Sequence, residues 1–524
     1  MKKTTLLFLS AVALGFTAIS QCDSISIGSN YTISADQQMS GTYVILGDFT
    51  LEVGTTIFVT PYATNSCGEL KIYANRIFIY GTINGDFAGY DGGAGGLRGS
   101  LVTSSTGNEL SLTECNSSDN AGDITLQNGF AGMAGAGPGA GLAGMNGTNG
   151  TGSKQFCGNT QDDAGIVAGP GGAGGGAGAS YGGVGSVAGN GGSGSAVATV
   201  VDLPISNPSS VVAGVGGIGG ASGSVYGTAI GRDITLGSGG AGAGGGGRSF
   251  GLGSDGAVGG KGGGMVFLKG TIDVQIMGAI SVKGANGGNG GNGGNGDATT
   301  DCCSDPCNGC DERTFSAGSG AGAGAGGGAG GGIFIETEGT AAIGGILNAN
   351  GGDGGAGGTM GTGATCDYDG GFLCGSQSIV VGNGQNGNAG GAGSGGRIKI
   401  YTPNCKPANV TATISINGGT GFANGATGTS EEVCGYAGIG ELTTSLGWNL
   451  YPNPAHDVLN VQIISGTTES THELIIYDAI GKSVYTEIMN NSSTSMNIMD
   501  FPSGVYTIQL LNAKTIETKR FVKY

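Results

Sequence analysis

The sequence predicts an all-β protein, with a glycine-rich, β-solenoid-like region carrying polyproline II excursions and then a smaller β-sandwich. Three features carry this expectation. Glycine supplies 121 of the 524 residues. Within the glycine-rich text it recurs at every third position, a register that suits a helix with three residues per turn. After residue 446 glycine thins out and short alternating apolar runs take over, the mark of half-buried antiparallel strands.

The chain divides in order into residues 1–20, 21–68, 69–445 and 446–524. Lys2 and Lys3 precede an apolar stretch over 6–16, and Ala18-Ile19-Ser20 fits the small-x-small cleavage rule, so 1–20 reads as a signal peptide with the mature chain beginning at Gln21. The apolar run falls short of the ~20 residues that a spanning helix needs, and no other segment comes closer. No membrane span is expected. Residues 21–68 read as an N-terminal β cap. The formal charge of −17 argues against nucleic acid or an anionic membrane as partner. Twelve cysteines, an even number in an exported chain, favour disulfides over metal. The pair Cys307-x-x-Cys310 has no histidine nearby to complete a mixed metal site.

One phrase recurs in region 69–445. Ile79-Tyr80-Gly81-Thr82-Ile83, Ile276-Met277-Gly278-Ala279-Ile280 and Ile343-Gly344-Gly345-Ile346-Leu347 share a pattern, and Ala412-Thr413-Ile414-Ser415-Ile416 keeps its alternation without the glycine. Each follows another β-rich run, at 70–73, 265–268, 333–336 and 397–401. Two short strands per repeat, neither able to bury its apolar face alone, predict stacked coils. The spacing is too irregular for a simple array, and a β-sandwich with swollen loops is the rival architecture. Between the coils glycine keeps triplet registers, as at 284, 287, 290, 293 and 296, or 384, 387, 390, 393 and 396. Bare α-carbons in triplets let extended backbones approach closely. Collagen is excluded by proline, since the tracts hold only Pro138 and Pro170.

This register resembles the glycine-rich bundles of snow flea antifreeze protein, some phage tail-fibre adhesins and the extracellular region of certain receptor tyrosine kinases. The resemblance implies fold and transfers no residue role. Two excursions have an outgoing leg, a cysteine-bearing tip and a returning leg. A crosslink at such a tip offsets part of the entropy that glycine loses on folding, which predicts a Cys366–Cys374 disulfide.

In region 446–524, Pro452-Asn453-Pro454 leads in. A strand leaves through a turn at Gly481, Gly504-Val505-Tyr506 opens an alternating run, and Lys519-Arg520 begins the closing strand. This segment resembles the type A C-terminal sorting domain of the type IX secretion system of Bacteroidota. The resemblance implies an immunoglobulin-like β-sandwich, the type IX machinery as partner, and a secreted or outer-membrane cell-surface location. It also implies removal of the tail and anchoring to surface polysaccharide.

Chemistry is sparse. Both histidines, His456 and His472, lie in 446–524, which removes imidazole catalysis and histidine metal sites from the rest. Asp162-Asp163 and Glu431-Glu432 would point to opposite faces of a strand, and Glu336 and Glu338 read as solvated surface glutamates. No cofactor, catalytic residue or metal ligand is expected. The expected role is a non-enzymatic structural or adhesin-like surface protein, with the tips 97–128, 151–168, 297–317 and 362–383 contacting a glycan or surface polysaccharide. A surface carbohydrate-active enzyme resembling a β-helix polysaccharide lyase and an ice-binding protein are the alternatives.

Overall fold

The computed structural model describes residues 24–63, 66–100, 102–104, 123–153, 165–196, 198–201, 211–297, 314–369, 376–402, 409–434, 447–465, 472–478, 482–511 and 516–524. Every regular element among them is a strand, so the all-β expectation holds. The chain forms two compact units, Met1–Tyr436 and Ala437–Tyr524.

Alternation of apolar and polar residues builds the first unit's coils. Glu69–Ile79, Met265–Ile276, Gly332–Thr337 and Arg397–Thr402 lie side by side and parallel in an 11-stranded sheet. Thr82–Asn84, Ala279–Ser281, Ile346–Asn348 and Thr413–Ser415 follow the same order in a parallel 6-stranded sheet. Leu70, Val266, Ile333 and Ile398 form one buried column, and Ile83, Ile280 and Leu347 form another within the same core. Each such side chain contributes roughly 1.5–3 kcal/mol on burial.

The stacking is more regular than the sequence suggests. From the second coil on, equivalent residues mostly lie 67 positions apart, with the Gly332–Arg397 strand pairing alone offset by 65: Asp353 donates its amide to Asn286 Oδ1, and Thr420 donates its own to Asp353 Oδ1. A much longer excursion, from 85 to 264, separates the first coil from the second and hides this period. The fourth phrase also shifts. Ile343 pairs with Val410 and Leu347 with Ile414, so the last coil's counterpart begins at Val410 and not at Ala412.

A parallel sheet requires long crossovers, and here glycine legs supply them. Three legs, 168–181, 236–247 and 317–331, are buried throughout. On leg 317–331 the amides of Ala321, Gly324, Gly327 and Gly330 donate to carbonyls of Gln385, Asn388, Gly391 and Ser394. Those of Gly322, Ala325, Gly328 and Gly331 donate to Gly291, Gly288, Ala285 and Val282. Those of Ala323, Gly326 and Ala329 reach the other two inner legs, at Ala173, Ala241 and Ser238. Three interleaved sets at three-residue intervals are what a threefold extended helix presents to its neighbours.

Around the inner triangle the outer legs close a ring: 89–99, 128–136, 141–150, 212–221, 184–194, 381–395, 349–363, 284–296, 254–263 and back to 89–99, each bonded to the next. Nine rods around three is hexagonal packing, and it explains the glycine register. A Cβ at Gly326 would sit 1.8 Å from the Ala177 carbonyl oxygen, and one at Gly178 1.8 Å from that of Ala392.

One side-chain arrangement departs from the sequence reading, and a second was not anticipated by it. Glu336 is buried, paired with Arg232 and lying 3.7 Å from Lys269, so it is not a solvated glutamate; Glu338 remains half exposed, 3.6 Å from Lys269. Arg397 and Lys399, on the same sheet face, are also buried. The cause is segment 226–236, which crosses that face. Lys399 donates to the carbonyls of Gly231 (2.8 Å) and Asp233 (2.6 Å), and Arg397 to those of Tyr181 and Tyr226. Desolvation acts to raise the Asp233 pKa, but bonds from Thr228 and Lys399 overcome it and lower the carboxyl to about 2. Burial pushes the Tyr181 and Tyr226 phenols up.

Candidate functional site

The expected tips gather at the ends of the legs. Val102–Ser104, Asp123–Leu126, Gly150–Ser153, Gly165–Val167 and Thr314–Ser316 form one 5-stranded sheet, which joins three of the expected tips. Thr365–Asp369 and Ser376–Val381 form an antiparallel hairpin, and Ala198–Val201 adds a third strand to it. That last strand belongs to a fifth tip that the sequence reading missed, because it carries no cysteine to mark it. Cys366 sits in the hairpin opposite Ile379, while Cys374 lies outside the described residues. Cys67 is disulfide-bonded.

The second unit is an antiparallel sandwich. Gly447–Tyr451, Val458–Ser465 and Ser493–Asn497 form one sheet; Ser483–Met489, His472–Tyr477, Gly504–Leu511 and Ile516–Lys523 form the other. Trp448, Leu459, Val461, Leu474, Ile476, Ile508, Leu510 and Phe521 fill the core between them. Three strands facing four is the plan of constant-type immunoglobulin domains.

Most of the sequence-predicted motif residues come together here. Asn453 Nδ2 donates to the Arg520 carbonyl (3.0 Å), and the Val522 amide donates to Asn453 Oδ1 (3.0 Å), so the Pro452-Asn453-Pro454 turn is tied to the last strand by one amide side chain. The Ala455 amide adds to that tie by donating to the Val522 carbonyl at 2.8 Å. Lys519 donates to the Trp448 carbonyl and lies 4.9 Å from the centre of the Trp448 ring, a cation–π contact. Gly504 faces Lys523 across the ladder, with open space where a side chain would stand. Val505 is exposed, whereas Tyr506 is buried, stacks on Phe521 and donates to the Pro502 carbonyl at 2.7 Å. Burial, with Asp478 close by, raises the Tyr506 pKa. Gly481 lies outside the described residues. Trp448 is the partner that sequence reasoning did not assign to Lys519.

Among the described residues no group of His, Cys, Asp and Glu is arranged to hold a metal ion, and no helix is long and apolar enough to cross a membrane.

The strands and their tied motifs define a terminal immunoglobulin-like domain. Residues 449–524 match the family described as the secretion system C-terminal sorting domain. This segment is therefore a type IX sorting domain, which directs the chain to the cell surface or the medium and implies interaction with the type IX machinery. No curated protein matches the chain. Among solved structures, PorZ, an essential bacterial surface component of the type IX secretion system of Porphyromonas gingivalis, is 22% identical over 17% of this chain and 13% of its own, with a TM-score of 0.13. A DUF3244 family protein from Bacteroides vulgatus, with an immunoglobulin-like β-sandwich fold, is 18% identical over 15% of this chain and 83% of its own, also at 0.13.

Proposed function

We propose that the exported chain is a non-enzymatic display protein: a β-solenoid base and a polyproline II bundle hold recognition tips that bind a surface polysaccharide or glycan. The observation that carries this reading is the inner leg 317–331, whose amides from Gly320 to Gly331 all donate to neighbouring legs. Glycine tracts bonded in this way form a scaffold and not a tether, and loops held by a rigid scaffold are where recognition usually sits. Strands from five separate tips join in two sheets and so can act as surfaces and not as isolated loops.

The test is glycan binding by the purified chain beside a depolymerisation assay on the same polysaccharides. Saturable binding that is lost when the 365–381 hairpin is replaced by a short glycine turn supports the reading. Released oligosaccharide would replace it with the carbohydrate-active enzyme.

A further inference from the structure

Asparagine is a chemically labile residue, and most so before glycine, which leaves its own nitrogen free to attack the preceding side chain. Leg 284–296 carries the Asn-Gly step four times, at Asn286, Asn289, Asn292 and Asn295. In deamidation the Gly nitrogen loses its proton and bonds to the Asn Cγ. The bond from Cγ to the amide nitrogen breaks and ammonia leaves. Water then opens the imide at either carbonyl, giving aspartate or isoaspartate.

The fold engages both reacting groups. The Asp353 amide donates to Asn286 Oδ1 (2.9 Å), while the Gly287 amide donates to the Asp353 carbonyl (2.8 Å). Thr359 makes the same two bonds with Asn292 and Gly293, both at 2.9 Å. Thr362 makes them with Asn295 and Gly296. Each such clip holds the side-chain carbonyl against the neighbouring leg and ties up the glycine N–H, on a backbone too extended to fold the two groups together. Asn289 differs. Gly290 still donates to the Ala356 carbonyl (2.9 Å), but no described residue donates to Asn289 Oδ1. All four asparagines are exposed, so access to water does not separate them.

We propose that these clips protect the leg chemically, and that Asn289 is the modification site at which deamidation of the folded chain begins. The two products act differently. Aspartate can serve in a clip, since Asp353 Oδ1 accepts the Thr420 amide at 2.7 Å. Isoaspartate adds a methylene to the main chain and puts the following glycines out of their three-residue register. At Asn289 neither product removes an acceptor that the neighbouring leg uses. The assignment is independent of what the tips bind.

Peptide mapping of the full chain, incubated at neutral pH either folded or in denaturant, tests this when fragmentation locates aspartate and isoaspartate at each position. In denaturant Asn286, Asn289 and Asn292 should react alike, because each is followed by two glycines. In the folded chain Asn286 and Asn292 should slow at least tenfold against their denatured rates, and Asn289 should be the fastest of the three by threefold or more. Thr359→Pro suits an extended leg and removes the N–H that holds Asn292. It should bring Asn292 to the Asn289 rate and leave Asn286 slow, which also shows that the leg is still folded. Equal rates at the three positions in the folded chain overturn the site. A Thr359→Pro chain whose Asn292 stays as slow as Asn286 overturns the role of the clips.

Discussion

The coil stack and the glycine bundle share one chain but are held by different atoms. In the coils, Ile and Leu columns run through a side-chain core, and the backbone ladder follows the register that they set. In the bundle the order inverts. Its inner legs carry little beyond Cα and methyl groups, and three interleaved sets of amides join each rod to its neighbours. Packing in the first region tolerates exchange of one apolar side chain for another; packing in the second depends on the absence of side chains.

The largest break in this contrast should come from Gly326→Val. A Cβ there meets a carbonyl oxygen at 1.8 Å in the middle of the inner triangle, with backbone on every side and no flexible group to yield. A loss above about 4 kcal/mol is expected, enough to abolish cooperative unfolding of the bundle, and a denaturation curve of near-native midpoint would contradict the close packing. Ile335→Ala removes one rung of the side-chain column and should cost about 2–5 kcal/mol by chemical denaturation. Hydrogen exchange sharpens the result. Equal loss of protection at Gly322, Ala325 and Gly328 would mean that coils and bundle unfold together, and retained protection that they unfold separately. The smallest effect is expected from Asn292→Ala, which deletes an acceptor 2.9 Å from the Thr359 amide on the exposed side. About 0.5–1.5 kcal/mol, with faster exchange centred on Thr359, is the outcome to look for.

The sequence showed the repeating phrase, the triplet glycines and the closing sandwich because each is a local pattern. It concealed the 67-residue period, since the long excursion from 85 to 264 sets the first coil apart and the last first strand is offset by 65 residues, not 67. The asparagines were overlooked for a related reason. Asn286, Asn292, Asn295, Asn383 and Asn386 look like solvated loop residues, yet each accepts an amide from the neighbouring outer leg, where no further rod is present to do so. Glu336 was misplaced, and the burial of Arg397 and Lys399 was not foreseen, because the segment that covers them, 226–236, comes from far away in the chain and carries no pattern that announces it. On the sorting domain, Asn453 and Lys519 were legible as motif residues, but their partners at Arg520, Val522 and Trp448 required the folded ladder.

Threefold extended legs also set a length scale. A leg of about 15 residues climbs roughly 45 Å, about twice the rise of an α-helix with the same number of residues. The twelve rods run from 9 to 15 residues, roughly 28–46 Å, and bonded sideways they hold that height without bulky side chains. Each residue of such a leg therefore reaches about twice as far as one in an α-helix, while a chain with 121 glycines spends little side-chain mass on the span.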